Sequence, residues 1–584
     1  MTAPGATPTS RPNIIAVLVD DQGYGDLSLH GHPEVQTPHL DALARDSVHF
    51  SDFHVAPMCT PTRGSMLTGL DPLRHGATNV SSGRALLSTE LTTLPDVLKS
   101  ANYRTGIFGK WHLGDNFPYR PHDRGFDRAL WFPSSHVSSA PDRWRNDYFD
   151  TWLRSEGDEG KQYSGYCTDI LFDQAYEWIR EDSQTAGQPF FAYVSLNALH
   201  QPLIVADKYR EPYLHLGPLM ASYLGMIANL DENIGRMEQR LRADGLADDT
   251  IVIFLSDNGG DRRTTELYNS GMRGSKTELW EGGHRVPAFL RWPKGNLGGE
   301  QGDIDVSELV MIQDLMPTLL DLCGIPASNL QFDGHSIVSL MKEHEPVPEA
   351  LAGRTAVMQY SRMASPEPTA GDAVVMRDKW RLMVEKMELY NIETDPGQVD
   401  NIAHRHPQLV SSMSNYYGRW WEALSAARSA VGRIVIGDPT EPEVALSSSD
   451  WRDVFIDQQR QILEALEVNG PMLLTIATTG SYRFSLYRWP RESGLAMTEA
   501  ASAHQGEVCE FMEGKAIDIA KVKLNLNGIE VVREVQPGAR SVEIDLDLFA
   551  GPATMRTALI DSAGRERSGA YYVYVDALAT AATA

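Results

Sequence analysis

The 584-residue chain is 42% hydrophobic and 22% charged, which describes folded globular domains and excludes a disordered or membrane-embedded protein. A formal net charge of -26 excludes nucleic acid as a partner, because binding phosphate requires an electropositive surface. The four cysteines, Cys59, Cys167, Cys323 and Cys509, are too sparse for a disulfide framework or a zinc cluster and fit a reducing compartment.

Residues 1–12 lack a basic start and an apolar h-region, so they read as a disordered N-terminus without a secretory signal, and the expected location is the cytoplasm. No apolar run is long enough to make a membrane a partner. A strand is predicted from Ile14 to Val19, ending on Asp20 and Asp21, and a helix opens at Thr37-Pro38. Cys59 lies in Ala56-Pro57-Met58-Cys59-Thr60-Pro61-Thr62-Arg63-Gly64-Ser65-Met66-Leu67-Thr68-Gly69. Pro61 suits a first helical position and Thr60 a cap, which puts Cys59 just outside a helix N-terminus, where the dipole favours negative charge. Arg63, one turn in, leans back toward that end. A helix from Leu94 to Ala101 and a strand from Arg104 to Phe108 lead to Lys110 and His112. A strand from Phe190 to Leu196 precedes His200, an amphipathic helix spans Leu219 to Leu241, and a strand from Ile251 to Leu255 runs into Asp257 and Asn258. This alternation is the rhythm of an α/β doubly wound sheet.

After about residue 300 one helix near Gln313 to Leu322 gives way to strand-like pieces and a Trp- and Tyr-rich helix at 406–428. Glu441 to Asp450 is polar and reads as linker. Alternating Val522, Leu524 and Leu526 run up to Asn527-Gly528, a hairpin signal, and Val542, Ile544, Leu546 and Leu548 alternate again, as in an all-β sandwich. The expected organisation is an α/β core at 13–300, a smaller α+β subdomain at 301–430, a linker at 431–450, a β-sandwich-like accessory domain at 451–578 and a tail at 579–584.

Asp20, Asp21, Lys110, His112, His200, Asp257 and Asn258 all follow predicted strands, and such groups converge on one crevice in an open α/β sheet. Asp20, Asp21, Asp257 and Asn258 offer only oxygen, a set that suits Ca²⁺ better than Zn²⁺. In an extended segment Lys110 and His112 share one side while Trp111 points away.

The Cys59 segment and Gly109-Lys110-Trp111-His112-Leu113-Gly114 resemble the two signatures of the type I, arylsulfatase-like sulfatases of the alkaline phosphatase superfamily. Asn102 departs from that pattern, standing where glycine is common. The resemblance covers roughly residues 12 to 425 and implies an alkaline phosphatase-like fold and a sulfuric ester hydrolase. It implies that a maturation enzyme oxidises Cys59 to formylglycine, whose hydrate attacks sulfur with one hydroxyl and expels sulfate through the other. It implies one Ca²⁺ on Asp20, Asp21, Asp257, Asn258 and the modified Cys59, with Asp257 shared between metal binding and activation of the attacking hydroxyl. By the same resemblance Arg63 and Lys110 hold the anion, His112 is the general base, and His200 with Lys276 serves the leaving oxygen. Two rival readings remain open on the residues alone: a phosphonate monoester hydrolase or phosphodiesterase of the same superfamily, and a silent binder of sulfated ligands in which Cys59 stays a thiol. Aryl, sugar and alkyl sulfates would all satisfy the clamp, since selectivity falls to loops such as 115–165 and 261–272. The accessory domain is read as a packing or oligomerisation element, compatible with a homo-oligomer, with a carbohydrate-binding module as the alternative. His30, His32, His39, His54 and His75 are read as structural or solvent-facing, with His75 or Arg84 as the alternative candidate near the substrate mouth, and Cys167, Cys323 and Cys509 are read as packing residues.

Overall fold

The computed structural model describes residues 11–578 apart from 82, 158–159, 184–186, 299–303, 343–344, 362–366 and 429. Residues 1–10 of the expected disordered start, the expected boundary at 300 and the tail at 579–584 lie outside the described residues. No helix among the described residues is long and apolar enough to cross a membrane.

Four parallel strands form the centre of the first layer: β1 (Asn13–Val19), β2 (Arg104–Lys110), β3 (Phe190–Ser195) and β4 (Thr250–Ser256), in the order β4-β1-β3-β2. They belong to a ten-stranded sheet, made mixed by Ala288–Arg291, which pairs antiparallel with β4. After β1 the chain builds Val48–Phe50 beyond β4 and only then β2 beyond β3, so the strand order reverses around β1. That reversal opens a crevice at the strands' carboxyl ends.

The two faces of β1 separate cleanly. Ile15, Val17 and Val19 enter one core, with Leu171 of helix α2 (Cys167–Ser183) and Leu224, Ile227, Leu230 and Ile234 of helix α3 (Pro218–Ala243). Ile14, Ala16 and Leu18 enter the other, with Met66 and Leu67 of helix α1 (Cys59–Thr68) and Leu315, Met316 and Leu319. Period-two alternation in a strand covered by helices on both sides requires both sets to be apolar. The left-handed Asn102 (φ 69°) turns the chain into β2, a conformation asparagine tolerates and glycine would take without strain.

A four-stranded antiparallel meander, Thr355–Gln359 to Glu388–Asn391, packs on the helix Pro407–Ala426. Beyond it two further sheets share one core, in which Leu474, Leu524 and Met555 of the first meet Phe484, Ile544 and Val573 of the second. The expected linker at 431–450 needs correction, because Ile434–Ile436 pairs parallel with Met472–Ile476 and Glu443–Ser447 pairs antiparallel with Tyr572–Leu578. Buried Ile434, Ile436, Val444 and Leu446 carry these strands, and the polar turn between them disguised two short alternations. The β-domain therefore starts before residue 451.

Candidate active site

Each strand end delivers its polar residues to the crevice. Asp20 and Asp21 follow β1, Lys110 ends β2, Ser195 ends β3, and Asp257 and Asn258 follow β4. Asp257 is tied back to β1, its N–H donating to the Val19 carbonyl at 3.0 Å. Asp21 and His112 both hold left-handed backbone (φ 61° and 59°), an unfavourable state for non-glycine residues that is concentrated at functional sites.

Helix α1 brings Cys59 and Arg63 to the same place. Cys59 is the first helical residue with Met58 as its cap, and the Thr60 hydroxyl donates to the His112 carbonyl at 3.1 Å instead of capping. The expected cap is thus corrected, Thr60 being turned to fasten the helix to the segment after β2. Gly64 sits against His75, where an added Cβ would lie 2.7 Å from Nδ1 and overlap the ring. His75 is fully buried beneath α1, a structural residue and not one at the substrate mouth, and its Nδ1 accepts from the Ala77 N–H at 3.2 Å. Arg84, also buried, donates to the Ser361 hydroxyl at 3.1 Å. Because the His75 ring is anchored, Gly64→Ala should displace α1, costing about 1–3 kcal/mol of stability and lowering turnover by moving Cys59. Thermal unfolding alongside kcat checks this, and an unchanged pair of values would refute it.

Arg63 is fully buried and donates twice to one oxygen of Asp257, Nε at 3.0 Å and a terminal nitrogen at 2.6 Å from Oδ2, while its other arm donates to Ser195 Oγ at 2.5 Å and the Lys110 carbonyl at 3.2 Å. Lys110 Nζ lies 2.6 Å from Asp20 Oδ2, and Lys276 Nζ lies 2.5 Å from Asp21 Oδ1. Burial raises the Asp20 carboxyl, against the pull of Lys110, and with Asp20's charge pushes Asp257 up to about 6. Asp21 goes the other way, since Lys276, His200 and Asn258 together outweigh its burial. Burial also raises the Cys59 thiol, so the unmodified side chain is a poor nucleophile at neutral pH.

The imidazoles are held neutral. His112 falls well below its ordinary value through burial and the nearby Lys110 and Arg63; its Nε2–H donates to the Val80 carbonyl at 2.7 Å, leaving Nδ1 buried with a lone pair and no partner. His200 is lowered to about 3 by burial and Lys276, and its Nδ1–H donates to the Gln201 carbonyl at 2.7 Å. Lys276, raised by Asp21 against its burial, keeps its proton.

The donor set fits a hard cation. Ligand atoms of Asp20, Cys59 and Asp257 all lie within 4.8 Å of one another, and Asp20 with Asp21 and His200 forms a second such group. Asp20 Oδ1 and Asn258 Oδ1 are buried without a partner, while Asn258 Nδ2 is engaged by Asp21 Oδ1 at 2.7 Å and so aims the amide oxygen elsewhere. Three carboxylates face the cations of Arg63, Lys110 and Lys276, so the pit is balanced alone and would turn positive with a divalent ion. A third cluster, His54 with Glu281 and His284, already holds a cation: Arg381 donates to Glu281 at 2.6 Å and Asp52 at 2.9 Å. It is a buried ionic tie between core and meander.

Above the pit is a cleft of about 880 Å³ lined by Asp21, His136, His200, Lys276 and, from the β-domain, Arg460 and Phe511. Sequence reasoning missed Ser195, His136 and the β-domain wall. Ser195 carried a usable signal, a polar residue ending an apolar strand; the others are brought in by loops and by a distant domain.

Family models match two overlapping stretches, the sulfatase model residues 12–325 and the model of the N-sulphoglucosamine sulphohydrolase C-terminal region residues 275–416. Arylsulfatase G of Rattus norvegicus is 32% identical over 381 residues, covering 58% of this chain and 70% of that protein. Arylsulfatase A of Homo sapiens is 29% identical over 457 residues, covering 70% and 88% respectively. Among solved structures, Ps i-CgsB in complex with k-i-k-neocarrahexaose superposes with a TM-score of 0.61 at 27% identity, over 70% of this chain and 92% of that one.

Proposed function

The chain belongs to the sulfatase family and is a sulfuric ester hydrolase, and from that premise we propose that it cleaves sulfate monoesters using Cys59 matured to formylglycine and one Ca²⁺. The observation that carries this reading is the meeting of Asp20, Cys59 and Asp257 in one buried group, with Asp20 Oδ1 and Asn258 Oδ1 unpartnered beside it. Asp20, Asp21, Asp257, Asn258 and the matured residue would hold the ion, which when bound supplies positive charge for the sulfate oxygens and favours ionisation of a hydroxyl beside it. The hydrated aldehyde would supply two hydroxyls on one carbon, so that the sulfated residue can clear itself.

The remaining roles belong to side chains of the chain itself. Lys110 and Arg63 orient the sulfate, Lys110 exchanging Asp20 for a sulfate oxygen. His112, neutral with a free Nδ1 lone pair, is placed to take a proton as general base. Lys276 keeps its proton and, with His200, meets the departing ester oxygen and protonates it.

Peptide mass spectrometry over Cys59 from the native host tests the maturation, which lowers the residue mass by about 18 Da. Paired phenyl sulfate and phenyl phosphonate esters test the reaction class. Sulfate turnover that is lost on chelation and restored by Ca²⁺ is expected. A phosphonate preference above about a thousandfold, roughly 4 kcal/mol in barrier, would overturn the reading.

A further inference from the structure

The β-domain lies outside the two matched family regions, yet it is built into the cleft. Its attachment is specific. The Ala140 N–H donates to the Asp457 carbonyl at 2.6 Å, and Gln459 Nε2 donates to the carbonyls of Ser139 at 3.1 Å and Arg143 at 3.0 Å. The Cys509 N–H donates to Asp147 Oδ2 at 3.0 Å, and Trp144 stacks edge-on against Trp489 at 5.5 Å. The core loop around 134–147 is thereby clamped from outside, and the Cys509 side chain joins the core of the α/β layer.

At the inner end of this clamp a chain of polar groups reaches the reaction centre. Asp457 Oδ2 accepts from the Ser135 hydroxyl at 2.9 Å, Ser135 Oγ lies 2.8 Å from His136 Nδ1, and the His136 ring stacks on His200 with 5.8 Å between centroids. Asp457 and Ser135 are both buried, and burial pushes the Asp457 carboxyl up to about 6, so above that pH it is an acceptor. Ser135 has a single hydroxyl hydrogen. Spent on Asp457, it leaves Ser135 Oγ to accept from His136 Nδ1–H, and the lone pair of His136 then sits on Nε2. The nearby Lys110, Lys276 and His200, acting with burial, keep the ring neutral. That Ser135 contact is the one hydrogen bond of the His136 side chain among the described residues, and the ring lines the cleft.

We propose that the β-domain is a working wall of the substrate cleft, and that Asp457, acting through Ser135, holds His136 as a hydrogen-bond acceptor for a hydroxyl on the carbon next to the sulfate ester. The substrate class this selects is a hydroxyl-bearing sulfate ester, as in a sulfated sugar or polyol, over an ester with no neighbouring donor. The inference rests on the sulfatase reading above. Asp457 is a positioning residue, and His136 binds the substrate.

The test measures kcat/KM at about pH 7.5 for 2-hydroxyphenyl sulfate and phenyl sulfate, with the full-length protein and its His136→Phe, Asp457→Ala and Asp457→Asn variants. The readout is the ratio of the two esters, in which any general loss of activity cancels. The ratio should fall about tenfold in His136→Phe and severalfold in Asp457→Ala, mainly through KM. Combining His136→Phe with Asp457→Ala should lower the ratio no further than His136→Phe alone. Asp457→Asn, whose amide oxygen still accepts from Ser135, should restore most of the ratio. Should Asp457→Ala fail to fold, Ser135→Ala breaks the same link and is read the same way. Sulfate release with an unmoved ratio overturns this proposal alone; release from neither ester overturns the sulfatase reading and this one with it.

Discussion

Cys59→Ala should reduce sulfate release by at least a thousandfold, about 4 kcal/mol or more in barrier, while leaving the fold intact. The side chain is small and sits at the start of α1, so its removal deletes one buried atom and no backbone contact. What it does delete is the only side chain of the buried Asp20, Cys59 and Asp257 group that can be oxidised to an aldehyde and so carry two hydroxyls on one carbon. The raised thiol also means that an unmatured fraction contributes little. Cys59→Ser separates attack from clearance. Its single hydroxyl can displace the alcohol from one ester, but the resulting serine sulfate has no second hydroxyl on the same carbon to expel the group. One alcohol per chain should therefore be released, with a mass gain of about 80 Da on the peptide and no further turnover. Intact-mass analysis with burst kinetics checks this, and sustained turnover in either variant would refute the assignment of Cys59.

The convergence of residues on the candidate site was readable from sequence wherever those residues end an apolar strand. Asp20-Asp21, Lys110 and Asp257-Asn258 interrupt runs of β-branched and aromatic residues, and such interruptions mark strand ends at the crevice. The fold class was readable for the same reason: the strands are buried on both faces and separated by amphipathic helices. What escaped depends on tertiary placement. Ser135 and Asp457 stand 322 residues apart and meet only because the β-domain docks on the 134–147 loop. Gly64 gave no sign that it faces His75, since the close approach arises when the chain folds back after α1. Thr60 shows how a local rule can be overridden: its hydroxyl suits a cap, but the carbonyl of left-handed His112 offers a partner on the neighbouring segment. The strands at 434–436 and 443–447 were hidden because each is too short for its alternation to outweigh the polar turn between them.

Arg63→Met should cost about 3–5 kcal/mol of stability as well as abolishing activity, the largest structural effect of any single change in the pit. Arg63 and Asp257 are both fully buried, and two guanidinium donors converge on Asp257 Oδ2 while the third nitrogen fastens Ser195 and the end of β2. Removing it leaves Asp257 unpaired in low dielectric, beside Asp20 and Asp21, whose charges already raise its carboxyl. The cost thus comes from the partner left behind more than from the bond lost, and that gives the prediction its second half. Arg63→Met combined with Asp257→Asn removes the stranded charge, so the double variant should recover at least half of the lost stability yet stay inactive, because a neutral amide at that position could no longer serve as an anionic ligand. Denaturant unfolding of the two single variants, the double variant and the parent, each with and without Ca²⁺, measures the coupling. Simple additivity of the two losses would show that Arg63 acts by packing alone. Stabilisation by Ca²⁺ should be clear in the parent and much weaker in every variant that alters Asp257, because an ion that binds only the folded state raises its stability in proportion to the logarithm of its affinity.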